Sequence, residues 1–181
     1  HTGEIMNMST AARQSILNGI VGTWMFYVPA VLAGFTPELM LGLLGANLAF
    51  QWFVHTESVP RLHPWVEWWI NTPSNHRVHH GRNAQYIDKN YGGVIMLYDH
   101  LFGSYEPEQE KVEYGTPRQI KSHNWWVLNT HEFVDMFRDA MAPGPIGERL
   151  KHFWKPPAWQ REGHQPIHTW TVERHDEVMV R

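Results

Sequence analysis

Three histidines, His76, His79 and His80, stand at spacing i, i+3 and i+4. On an α-helix that spacing stacks all three imidazoles on one face over a single turn. Converging neutral imidazoles are the ligand set of zinc, iron, copper and nickel sites. The alternative is a polar helix face on which histidines coincide, and with 13 histidines in 181 residues coincidence carries weight. Against it, ring nitrogens crowded together lose hydration unless something binds them. The chain has no cysteine, which removes disulfides, thiolate nucleophiles and cysteine-held zinc or iron–sulfur sites. There is no Gly-rich phosphate loop and no internal repeat, and a net charge of −3 implies no attraction to nucleic acid.

The residues around the triplet narrow the chemistry. Asn71-Thr72-Pro73-Ser74 precedes it, with Ser74 as a candidate N-cap. His76-Arg77-Val78-His79-His80-Gly81-Arg82-Asn83 is followed by Asp88-Lys89-Asn90-Tyr91-Gly92-Gly93, then by Asp99-His100-Leu101-Phe102-Gly103-Ser104-Tyr105. In this order and spacing the three segments resemble the fatty acid hydroxylase/sterol desaturase superfamily, and within it the alkylglycerol monooxygenase-like branch. The resemblance covers most of the chain, strongest from His55 to Tyr105 and weakest after Pro157.

The resemblance implies an integral membrane enzyme that holds two irons in a cytosol-facing cluster of histidines drawn from three boxes. Residues 76–80 match the third box. The chain opens on His1-Thr2-Gly3-Glu4 without an initiator Met and reads as a fragment, with His1 the last histidine of a second box and the first box absent; the other reading of His1 is a remnant. His55 is either an interfacial residue or one more ligand of the kind the family carries upstream of its third box. Glu57, Asn83, Asp88 and Asn90 are candidates to hydrogen-bond the far ring nitrogens of ligating histidines; otherwise they are helix-end and loop residues. Two positions depart from the pattern: Asn75 stands where the branch tends to have a further histidine, and Ser104 where many relatives have threonine.

The elements that must position these groups read as helices. No charged residue falls between Arg13 and Glu38, and a second apolar run from Leu39 to Val54 meets no charge until Glu57. The expectation is two spans, about residues 15–35 and 39–56, the first kinked at Pro29 and the second short for an untilted crossing; the alternative is a pair of buried helices in a soluble bundle. Two spans return the chain to its starting side, which puts His1 and His76 on one face. Arg13, Arg61, Arg77, Arg82 and Lys89 fall on that same side, so it is cytoplasmic by the positive-inside rule. Trp65, Trp68 and Trp69 share a helical face within Pro60–Ile70, as on a helix lying in the interface plane. Val94–Tyr98 is taken as helical, residues 130–142 as an amphipathic helix begun by an Asn129-x-x-Glu132 capping box, and Ile146–Trp154 as a short helix. The fold class expected is an all-α integral membrane bundle with a cytosolic helical cap carrying the histidine cluster. Residues 1–157 form the hydroxylase-type domain and residues 158–181 a polar, extended tail.

Three functions compete. The first is an O2-dependent, non-haem di-iron oxidoreductase acting on a lipid C–H bond, using two iron ions, O2 and a reductant or redox partner at a bilayer. Sterol, fatty acyl chain, glyceryl ether and carotenoid all fit as substrate, and hydroxylation, desaturation and ether cleavage share one first step. The second is a membrane-surface zinc hydrolase with three histidines and a water, for which Glu57 or Asp88 would be the base. The third is a non-catalytic membrane scaffold.

Overall fold

Three helices begin alike, with a capping side chain followed by proline in the first turn. Thr36 caps α3 (Pro37–Val54) by accepting from Leu39 N–H. His63 caps α4 (Pro64–Trp69) through Nδ1, which accepts from Trp65 N–H. Thr72 caps α5 (Pro73–His79) by accepting from Asn75 N–H. Proline suits this position because its missing N–H has no intrahelical partner there and its φ is already helical. The cap of α5 is therefore Thr72 and not Ser74, which lies inside the helix, fully buried.

The computed structural model describes residues 3–12, 17, 23–116, 118–120, 122–155, 159, 161–165 and 171–173. They fall into two compact units that divide between Pro117 and Arg118. In the first unit α1 (Met8–Ala11) and α2 (Val28–Leu32) precede α3, and α6 (Leu97–Phe102) follows α5. A small core of Val78, Tyr86 and Val112 lies behind the histidine helix. Gly81 lets that core close: a Cβ there would lie 2.9 Å from the Tyr86 ring and 3.1 Å from Val112.

The loop between α5 and α6 is tied by the residues that carried the motif. Asp88 and Asn90 adopt left-handed backbone, with φ of 57° and 54°, a conformation that Asp and Asn tolerate best among non-glycine residues. Asp99 accepts from Tyr91 N–H, Gly92 N–H and the Ser104 hydroxyl. Asn90 is buried and bridges Asn75 O and Glu106 O, while its own oxygen accepts from Glu106 N–H. Gly103 ends α6 in the left-handed region. Ile70 and Ile95 form an isolated antiparallel bridge, so α6 starts at Leu97 and not at Val94: the bridge holds residue 95 extended.

The second unit contains α7 (Trp125–Met141), α8 (Ile146–Leu150) and a 3-10 turn at Lys151–Phe153. Asn124 caps α7 by accepting from Trp126 and Val127 N–H, so the helix starts ahead of the Asn129-x-x-Glu132 pattern. Two strands, β1 (Arg118–Ile120) and β2 (Thr171–Glu173), pair antiparallel with Gln119 opposite Val172. The protein is thus mostly helical rather than all-α, and part of the expected tail is paired in a sheet.

No helix among the described residues is long and apolar enough to cross a membrane. The expected second span, residues 39–56, corresponds to α3, whose 18 residues are interrupted by Asn47 and Gln51. Of the expected first span, residues 15–16 and 18–22 lie outside the described residues, and what is described is a 3-10 turn at Thr23–Tyr27 leading into the five-residue α2.

Candidate metal centre

α5 presents His76 one turn before His80, and α3 ends at His55, which is its C-cap residue. The imidazoles of His55, His76 and His80 meet. His76 Nε2 lies 3.1 Å from His55 Nε2 and 3.2 Å from His80 Nε2, and one ligand atom from each ring falls within 4.8 Å of the others. Nitrogens held about 2.1 Å from one ion lie about 3.0–3.4 Å apart, which the two separations from His76 match. His76 is buried and the other two are half-buried. Burial, reinforced by the neighbouring rings, pushes both His76 and His80 down to about 2. Both are neutral throughout the physiological range, as a metal ligand must be.

The surroundings fix the rings. His55 Nδ1 donates to the Gln51 carbonyl at 2.6 Å, one turn back on α3, which leaves the lone pair on Nε2, facing the cluster. Asn71, itself buried, sends its amide nitrogen to the Gly92 carbonyl at 2.7 Å and to His76 Nδ1 at 3.3 Å. A ring that accepts at Nδ1 carries its proton on Nε2, toward the place an ion would take. Asn71 Oδ1 is buried without a partner; turned toward Nδ1 it would accept that proton and free Nε2 to ligate. The donor set therefore fits an ion, with Asn71 as the group that must adjust.

Arg77 holds the two halves of the site in register. It is buried beside His76, forms a forked pair with Glu108 at 2.6–3.2 Å, and donates to the carbonyls of Thr56 and Val59 immediately after His55.

Of the residues expected at a site, the structure brings together His55, His76 and His80. His79 stands at the edge: its ring centre is 5.2 Å from that of His80, but it is outside the trio whose nitrogens converge. Burial lowers its pKa, against a Lys89 backbone contact that favours the charged form. His1 lies outside the described residues. The four expected partners of the ring nitrogens bond elsewhere. Glu57 is exposed and hydrogen-bonds Tyr114. Asn83 clamps Lys111 and Glu113. Asp88 accepts from the Tyr91 hydroxyl, and Asn90 spans two loops. Among the groups that do meet the rings are Gln51 O, Asn71 and the Lys89 backbone. Only Asn71 gave any sequence signal, by its place just ahead of the box; a backbone carbonyl carries none. His164, outside the expected site, pairs with Asp139 at 2.8 Å in the second unit.

A cleft of about 730 Å³ opens beside the cluster, between the α3 face carrying Asn47 and Gln51 and the segment Tyr91–Ile95, with Tyr98 and Phe102 of α6 on its wall. The Tyr91 ring lies 6.1 Å from that of His79.

Residues 1–104 match the fatty acid hydroxylase family model. The chain is similar to alkylglycerol monooxygenases: 40% identical over 160 residues to the human protein, 38% over 159 to that of Danio rerio and 36% over 159 to that of Xenopus tropicalis. Each alignment covers 88% of this chain and 35% of the relative, so the chain spans about a third of the length of the curated relatives it matches. No solved structure matches it. With more than half of its length under that family model, and the model's span containing the whole histidine cluster, the chain belongs to the fatty acid hydroxylase family.

Proposed function

We propose that this chain supplies the third histidine box and part of the substrate wall of an O2-dependent, iron-using lipid monooxygenase. The observation that carries the reading is the convergence of the His55, His76 and His80 nitrogens within 4.8 Å, in a buried and uncharged setting. Iron, when bound, supplies the reduction of O2 and the oxidation of an unactivated C–H bond. The protein's own part is different. His55, His76 and His80 offer neutral nitrogens, the Gln51 carbonyl holds the His55 tautomer, and Arg77 keeps α5 against the end of α3.

Three nitrogens suit one ion. A second iron would draw on His79 at the edge and on histidines contributed from elsewhere, His1 among them. The relatives' name makes an alkylglycerol the first substrate to try; a reductant or redox partner completes the reaction. The exposed apolar side chains of residues 24–53, among them Phe26, Leu32, Leu41 and Phe53, support a membrane enzyme with its site at the cytoplasmic face. A zinc hydrolase is less well supported, because Glu57 and Asp88, its candidate bases, are engaged by tyrosines away from the rings.

Metal analysis of the full-length protein tests the reading: about two irons per chain for the oxygenase, about one zinc for the hydrolase, none for a scaffold. His76→Ala and His80→Ala should each lose bound iron and turnover, and His164→Ala should keep both. Iron content unchanged in the first two variants would refute the ligand assignment.

A further inference from the structure

We propose that the second unit docks on a lipid bilayer. It lies in the plane of the surface, with the apolar face of α7 and of the residues after it in the headgroup–acyl boundary, and it favours anionic lipid. Residues after 104 fall outside the matched family model, and this surface is independent of the oxygenase reading.

The unit is packed with its polar side inward. α7 buries His131, Asp135 and Asp139. Asp139 lies 2.8 Å from His164 Nε2, and the buried Arg161 reaches the Ala142 carbonyl and His164 Nδ1, both at 3.2 Å. Among the described residues of the unit, Ala140 is the one buried apolar side chain. Polar groups inside and large apolar groups outside is the reverse of what water selects.

The outward side is a continuous apolar face. At about 100° per residue, Trp126, Phe133, Phe137 and Met141 fall within about 80° of one another around α7, with His131, Asp135 and Asp139 on the other side. The four charged residues of the helix, Glu132, Asp135, Arg138 and Asp139, all lie off the apolar arc. Exposure on the arc runs from 37% at Phe133 to 72% at Met141. The face continues past the helix. The Phe137 ring centre is 5.4 Å from that of Phe153, and Ile146, Leu150 and Trp154 are exposed as well. A patch of this kind marks a surface that is covered in use.

Composition and charge choose a bilayer over a protein partner. Most of the face is aromatic, and its indoles, Trp126 and Trp154, are of the kind that collects at headgroup level. The charge beside it is positive. From residue 138 to residue 155 stand Arg138, Arg149, Lys151 and Lys155 against Asp139 and Glu148. Asp139 is turned inward to His164, and Glu148 is offset by Lys151 at 2.6 Å. Lysine is depleted where proteins meet proteins, whereas basic side chains along an apolar helix face are drawn to anionic headgroups. A helix with charges over half its circumference lies in the surface and does not cross.

The chain has no cysteine, so an environment-sensitive dye can be attached singly to Phe137→Cys, Ile146→Cys or Glu132→Cys. The full chain is reconstituted in vesicles of phosphatidylcholine, with or without phosphatidylserine, in which some lipids carry a nitroxide high or low on the acyl chain. Dyes at Phe137 and Ile146 should shift to the blue. They should lose at least about twofold more emission to the high nitroxide than the dye at Glu132, as for a face sunk about 5–10 Å into the boundary. Phosphatidylserine should strengthen that quenching, and Lys151→Glu with Lys155→Glu should remove the increase. Phe137 and Ile146 stand on separate helices, so a failure of either variant to fold leaves the other to decide. A blue shift without nitroxide quenching would mean that protein covers the face, and no blue shift would mean that water does; each overturns the proposal. Equal quenching at all three positions, or stronger quenching by the low nitroxide, would overturn it as well. Quenching that phosphatidylserine leaves unchanged would overturn the preference for anionic lipid. Iron content, read separately, bears only on the oxygenase reading.

Discussion

His76 is the residue on which the site turns, and its physical state follows from what surrounds it. Its ring is buried, with a second imidazole nitrogen at 3.1 Å and a third at 3.2 Å. Adding a proton would place a cation in a dry site with no facing carboxylate among its hydrogen-bond partners. The folded chain holds His76 and His80 near a pKa of about 2, whereas in the unfolded chain each sits at about 6.5. Between those values the unfolded state binds protons that the folded state refuses, so stability is full above about pH 6.5 and falls as the pH drops below it. The slope approaches about 1.4 kcal/mol per pH unit for each group held unprotonated, and about twice that for the pair well below pH 6.5. Denaturant midpoints of the chelator-treated protein at pH 7.5, 6.5 and 5.5 should fall across the lower interval and stay level across the upper one. His76→Gln with His80→Gln should flatten the dependence; a midpoint that rises on acidification would show these rings to be charged in the fold. The triplet was legible in the sequence because ligand spacing on a helix is a local pattern. His55 was readable only through family resemblance, and Asn71 and the Gln51 carbonyl hardly at all, since what a ring nitrogen faces is decided by tertiary packing.

At the scale of elements the site is a junction of two helix ends. α3 ends at His55, α5 ends at His80, and the two are joined through Arg77. That arginine sits between two site histidines in sequence yet points to the other side of α5, into the carbonyls of Thr56 and Val59 and the carboxylate of Glu108. Its guanidinium fork satisfies three partners at once, which a lysine cannot do. Arg77→Ala would leave Glu108 with an uncompensated charge and free the segment that carries His55. Loss of one partner of a buried pair costs about 3–5 kcal/mol, so the variant should unfold at clearly lower denaturant and bind metal more weakly. Arg77→Lys should recover only part of the stability. Wild-type stability in Arg77→Ala would show that α5 is held by its core face, Val78 against Tyr86 and Val112, and not by this clamp. Helix starts coincide with a cap followed by proline at Thr36-Pro37, His63-Pro64 and Thr72-Pro73. They were misread where two caps competed. Asn124 took α7 from the Asn129 pattern because it stands at the true boundary, and Ser74 lost to Thr72 because proline at position 73 must come after the cap. The pairing of β1 with β2 joins residues more than fifty positions apart, and no local pattern announces it.

For the molecule as a whole the question is what covers the apolar side chains of α3: a bilayer that it crosses, a bilayer surface, or protein. α3 is about 27 Å long at about 1.5 Å per residue, against a hydrocarbon core of about 30 Å, and Asn47 and Gln51 interrupt its apolar run. It nonetheless exposes Leu41 at 69% and Phe53 at 61%, and Phe26 and Leu32 before it at 84% and 83%; side chains this apolar and this exposed need lipid or protein to cover them. The histidine end of α3 is followed by Trp65, Trp68 and Trp69, all exposed, and indoles collect at the bilayer interface. Basic residues cluster on the same end, at Arg61, Arg77, Arg82 and Lys89, while the turn at residues 36–38 has none. A crossing by α3 would need a locally thinned bilayer, and would put the cluster at one interface and Thr36 at the other. The chain lacks cysteine, so single cysteines report without background. Thr36→Cys and Gln109→Cys, each in sealed vesicles of known orientation, should react with an impermeant maleimide from opposite sides. Reaction of both from the cytoplasmic side would mean that α3 dips into one leaflet and returns. In that case the cleft beside Asn47 and Gln51 would open to lipid from the interface and not from the bilayer centre.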